Sequence, residues 1–252
     1  MKLLTLLFRR ETAIPVVALT FASGVSVALV LARVAWTGRF HYAFLIWNLF
    51  LAWLPLIFAL LARERWEGRV PASPHTQPRQ SSGRDWRFIG LTAAWLLFFP
   101  NAPYIFTDLI HLTTHYYAHF WVDLMLVLSC ALTGLVLGFL SLYLMHCMAV
   151  KMFGWLLSWL FIGAVAGLSS FGIYLGRFLR FNSWDILFKP VALYHGIGSW
   201  VADPLQNSRT AVFPVLFATF LFISYVMLYA LTHLKPATFN ESAASDGLVV
   251  PL

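Results

Sequence analysis

The chain has 252 residues, 60% of them hydrophobic and 11% charged, with a formal net charge of +7 and a mean hydropathy of +0.77. Soluble domains carry about 25% charged residues, so this composition excludes an ordinary water-soluble fold. The basic excess lies near predicted helix ends, where Lys and Arg set membrane topology, and no nucleic-acid-binding motif accompanies it, which argues against nucleic acid as a partner.

Apolar runs of membrane-spanning length predict six spans at about 13–32, 42–62, 88–110, 122–148, 153–176 and 211–233. Backbone groups in lipid must bond within their own segment, so these runs are helices. They lack the alternation of barrel strands. The predicted fold class is all-α, a polytopic membrane helical bundle. The first span follows Arg9, Arg10 and Glu11, and no small-residue cleavage site follows it, so it is read as uncleaved. Between the second and third spans, residues 63–87 are rich in Pro, Ser, Gln and Arg and read as a mobile cytoplasmic loop. Residues 1–235 form a single transmembrane domain, and 236–252 read as a polar disordered tail. Cys130 and Cys147 share the fourth predicted helix about 25 Å apart, too far to pair.

With the N-terminus inside, eleven Lys and Arg residues lie on the inner side and six on the outer side, which predicts both termini in the cytoplasm. Four of the six outer charges fall between Arg177 and Arg209.

The third span contains FFPNAPYIFTDLIHL, residues 98–112. Pro100 and Pro103 each remove a backbone donor. Phe99 and Ala102 precede prolines and are pushed from helical angles. The helix is therefore expected to stop near Pro100 and restart at Pro103, with Asn101 capping freed groups. Twelve residues from the inner surface reach roughly 18 Å, past the middle of a ~30 Å core. Such a break is either a kink that fixes packing or a discontinuous helix facing a site.

After the break, Asp108, His111, His115, His119 and Asp123 are spaced 3, 4, 4 and 4. On a continuous helix they share a face. Histidines at this spacing without further ligands are a weak metal signal, and no metal is assigned. Asp108 with His111, near the outer membrane boundary, is the stronger pair, suited to proton transfer.

The fifth span ends in SSFGIYLGRFLRFNSWD, residues 169–185. Gly172 and Gly176, with Gly163 and Gly167 before them, are spaced for close helix approach, and Gly134 with Gly138 suggests a matching surface. Arg177 and Arg180 lie one turn apart. They either snorkel to the interface or form an anion site of two guanidinium forks. Asn182 or Ser183 can cap the next helix, with Asp185 in its first turn. Topology puts these segments and Asp123 on the outer side. It predicts one extracytoplasmic polar cluster of Asp108, His111, Asp123, Tyr174, Arg177, Arg180 and Asp185.

PNAPYIFTDLIHL, the following WVD, GIYLGRFLRFNSWD and the earlier NLFLAWLP resemble the bacterial membrane family designated domain of unknown function, DUF1361. The similarity runs from about Leu45 to Leu231. The resemblance implies a role for Asn101, Pro103, Tyr104, Thr107, Asp108, His111, Asp123, Arg177, Arg180, Asn182 and Asp185. It does not extend to His115 or His119, and it implies a fold without a chemistry.

The expectation is therefore a multi-pass inner-membrane protein with a polar site at its extracytoplasmic face. Candidate catalytic residues are Asp108, His111 and Asp123. Candidate substrate-binding residues are Asn101, Tyr104, Tyr174, Arg177, Arg180, Asn182 and Asp185. The expected partners are membrane lipids and an anionic or lipid-linked ligand; no cofactor is named. An enzyme acting on a lipid-linked anion, a transporter component with the broken span at its binding site, and an assembly subunit are the competing roles.

Overall fold

Six helices are long and apolar enough to cross a membrane. They are α1 (Ala13–Thr37), α2 (Phe44–Glu67), a third span of several pieces, α5 (Phe120–Phe153), α6 (Trp155–Phe178) and α8 (Ser208–Thr232). The third span consists of α3 (Trp86–Phe98), the short α4 (Asn101–Tyr104) and a 3-10 segment (Ile105–Thr114); a single turn, α7 (Asp185–Phe188), precedes α8. The computed structural model describes residues 12–68, 85–114, 119–181, 185–188 and 208–233, with isolated positions between 190 and 198. All regular structure among the described residues is helical. The 236–252 tail and most of the 63–87 stretch lie outside them, but α2 carries the helix on to Glu67.

Local chemistry sets the ends. Asp85 caps α3, its carboxylate accepting from the backbone N–H of Arg87 at 3.1 Å and Phe88 at 3.4 Å. One residue, Gly154, joins α5 to α6 at φ 83° and ψ 175°, a conformation open essentially only to glycine. α5, the longest helix, thus turns back into α6 without a loop.

α5 is the hub. It packs on α1, α2, α4, the 3-10 segment and α6, while α8 packs on α6. Trp95 of α3 is fully buried against it and donates to the Ser141 hydroxyl at 3.3 Å.

The third span is interrupted at Pro100–Pro103, where α3 ends at Phe98 and α4 begins at Asn101, and the chain bends only slightly there. Phe99 keeps helical angles (φ −54°, ψ −41°) despite preceding a proline. Proline's own φ is helix-compatible, so each proline removes a donor without forcing a new conformation. The neighbours absorb the loss. Ala102 N–H turns to the Phe99 carbonyl at 3.1 Å, and Tyr104 N–H reaches Pro100 at 3.0 Å. The Asn101 side-chain amide donates to the Phe98 carbonyl at 2.9 Å, the acceptor that Ala102 would otherwise serve. Beyond Ile105 the chain winds as a 3-10 helix.

The glycine pairs act differently from a matched surface. A Cβ on Gly134 would sit 2.8 Å from the Ile105 side chain and 2.9 Å from the Ala102 carbonyl oxygen. One on Gly138 would meet Ala102 at 3.1 Å, and one on Gly172 would meet Pro100 at 3.2 Å. Glycines of α5 and α6 therefore clasp the proline bend between them. Gly163 and Gly167, expected to serve the same purpose, face open space. Their spacing alone does not distinguish a packed face from an unpacked one.

Candidate functional site

The N-terminal half of α2, the bent third span and the C-terminal half of α6 surround a cavity of about 760 Å³. Its lining follows helical stripes: Trp47, Asn48 and Leu51 on α2, and Ala93, Leu97, Asn101, Tyr104, Asp108 and His111 on the third span. Leu168, Gly172 and Arg177 continue it on α6. The polar members gather at the end formed by the start of α2 and the end of α6, and the deeper part is apolar.

Asp108 holds the polar end together. Its carboxyl is 1% exposed. One oxygen accepts from Arg177 Nη2 at 2.8 Å, and the other accepts from Asn48 Nδ2 at 2.9 Å. His111 Nε2 lies 3.3 Å from Arg177 Nη1 and 3.8 Å from Asp108 Oδ1. The 3-10 winding, with three residues per turn, puts His111 directly above Asp108. The guanidinium carbon of Arg177 stands 5.1 Å above the Tyr104 ring, and Phe44 meets the His111 ring edge-on at 5.2 Å. Arg177 Nε is buried with no hydrogen-bond partner among the described residues.

Other sequence-predicted residues part company. Asp123 does not line the cavity. It begins α5 and pairs with Arg33 of α1, Nε–Oδ1 at 2.6 Å and Nη2–Oδ2 at 3.1 Å. The expected shared face from Asp108 to Asp123 fails, because the 3-10 segment breaks the helical period before α5 starts anew. Between α1 and α2, burial pushes the Tyr42 phenol up to about 12, and the Asp123 carboxylate beside it pushes the same way. Tyr174 is buried between Phe171 and Phe178.

Arg180 does not join Arg177 on one face. It is exposed and left-handed, at φ 58°, just past the end of α6. The turn closes as Leu179 N–H and Phe181 N–H both donate to the Leu175 carbonyl at 3.1 Å. Asp185 is buried at the start of α7 and is not among the described residues that line the cavity. Asn182, Ser183 and His115 lie outside the described residues. The His119 ring lies against Trp36 in a tilted arrangement, with ring centroids 5.0 Å apart.

A family model described as "Protein of unknown function (DUF1361)" matches residues 47–224. The chain belongs to this family. Neither the curated proteins nor the solved structures give a match. Within the DUF1361 region fall all the described residues that line the cavity except Phe44, whereas Arg33 lies before it.

Two side-chain partners of the predicted carboxylates escaped the sequence reading. Asn48 had a signal, a lone amide in the apolar run FLIWNLFLAWLP. Arg33 had a weaker one, a cation at the outer end of a span where topology disfavours it. Neither signal names Asp108 or Asp123, which lie 60 and 90 residues away along the chain.

Proposed function

We propose that this DUF1361 protein holds the anionic head of a ligand, a phosphate or carboxylate, at the extracytoplasmic end of its cavity. In this reading it sits in a bacterial cytoplasmic membrane with both termini inside, which the eleven-to-six distribution of Lys and Arg supports. One observation carries the proposal: a guanidinium fixed at the polar end of a cavity, with donors to spare. Arginine has five N–H donors, and Asp108 and His111 engage only two of Arg177's. Both oxygens of Asp108 are already hydrogen-bonded, so the carboxylate works as the holder of the cation. A second anion-facing donor comes from His111 when it is protonated.

Proton transfer is the second reading, favoured by the imidazole 3.8 Å from a buried carboxylate. It requires His111 to turn, because its Nε2 now faces Arg177.

Equilibrium binding of dodecyl phosphate to the purified protein in nonionic detergent tests the anion reading. Arg177→Lys and His111→Gln should each weaken binding about tenfold at unchanged expression. Equal binding by wild type and both variants would reject it.

A further inference from the structure

We infer that the apolar half of the cavity takes the hydrocarbon chain of that ligand, admitted sideways from the outer leaflet between α2 and α6. This rests on the anion reading above and adds the class of molecule: a single-chain or chain-bearing amphiphile with an anionic head. Three observations converge.

The first is continuity. Inward of Asn101, whose amide is engaged by the Phe98 carbonyl, the stripes that carry Asp108 and Arg177 are apolar through Leu97, Ala93 and Leu168. The second is depth. From Arg177 to Leu168 is nine residues of α6, about 14 Å, close to half of a ~30 Å hydrocarbon core. A head at Arg177 therefore puts its chain across one leaflet and no more.

The third is the rim. Trp47 is 55% exposed and Leu168 57% exposed, and Ala93 is exposed as well. These cavity-lining side chains sit on the flanks of membrane spans, so the mouth between them faces lipid. α3 and α6 meet through the Trp95 and Phe161 rings, 6.1 Å apart, and α6 meets the bend again where Gly172 faces Pro100. The mouth therefore lies between α2 and α6, with α3 as its back wall, since Trp95 points to α5 while Ala93 and Leu97 line the cavity. Trp47 stands near the interface, where an indole suits the boundary between head and chain.

Two probes separate the two readings: inorganic phosphate, which offers only the head, and dodecyl phosphate, which adds the chain. Wild type should bind dodecyl phosphate at least about tenfold tighter than inorganic phosphate, each buried methylene adding favourable transfer energy. Leu168→Trp and Ala93→Trp fill the mouth from exposed positions. Each should abolish that preference, leave inorganic phosphate binding unchanged, and keep the melting temperature of wild type. Equal binding of both probes by wild type would overturn the chain slot and leave the anion site standing. So would a preference that survives in both tryptophan variants. Binding of neither probe by wild type would reject the anion site, and the slot with it.

Discussion

Two buried carboxylate–arginine pairs stand toward the same end of the helical bundle, and they are built differently. Asp123 gives both its oxygens to one guanidinium, that of Arg33, in a fork joining α5 to α1. The groove beside it holds no other polar side chain among its lining residues. Asp108 divides its oxygens between Arg177 and Asn48, so three spans meet at one carboxylate. The guanidinium that results faces a cavity and keeps donors in reserve. The first arrangement has the form of a strut, and the second has the form of a socket. The same two residue types yield either, depending on how the carboxylate's oxygens are shared.

The largest expected effects break either pair from one side. Asp123→Ala leaves the Arg33 charge, 12% exposed, without a counterion, which costs on the order of 3–5 kcal/mol. Thermal unfolding in detergent should show it, and Arg33→Met combined with Asp123→Leu should recover most of the loss. The same manoeuvre at the other pair, Arg177→Met with Asp108→Leu, should also recover folding, but with no anion binding. If the doubly apolar socket still binds dodecyl phosphate, the distinction between strut and socket collapses.

A smaller effect follows from the third arm of the socket. Asn48→Ala strands one Asp108 oxygen in a buried position, at about 1–3 kcal/mol. At the strut one arginine serves both oxygens, with the Tyr42 phenol beside them. Gly134→Ala should cost a similar amount, roughly 1–3 kcal/mol, because the added carbon would collide with the Ala102 carbonyl and push the bend that carries Asp108. Gly163→Ala, into open space, should stay within about 0.5 kcal/mol. Both are read from melting curves. Equal effects at the two glycines would remove the clasp as the means by which the socket is positioned.

The parts of this arrangement were unequally legible. Six spans follow from apolar runs, because the hydrocarbon core imposes length and composition on each segment independently. Arg177, Asp108 and His111 announce themselves as ionisable groups where the membrane disfavours them. Their partners do not. Whether Asp123 completes the cavity or pairs with Arg33 depends on how α1 leans on α5, which no local pattern encodes. The break at Pro100–Pro103 was legible from local sterics, but its small angle was not. The Asn101 amide and a shifted Ala102 N–H serve the Phe98 and Phe99 carbonyls, and the glycines hold the bend in place.

The smallest expected effect tests the boundary of the socket at Arg180. Sequence spacing pairs it with Arg177, yet its backbone sits at φ 58°, a left-handed position that terminates α6. An L-residue there pays roughly 1–2 kcal/mol in steric crowding, which glycine avoids. Glycine in turn adds entropy to the unfolded chain, so Arg180→Gly should be neutral or stabilising by no more than about 1 kcal/mol. Because the side chain is exposed and does not line the cavity, dodecyl phosphate binding should stay within about twofold of wild type. A tenfold loss of binding at unchanged or improved stability would place a second guanidinium on the ligand and enlarge the socket beyond the end of α6. A fall in melting temperature would mean instead that the arginine side chain, not its backbone, closes that turn.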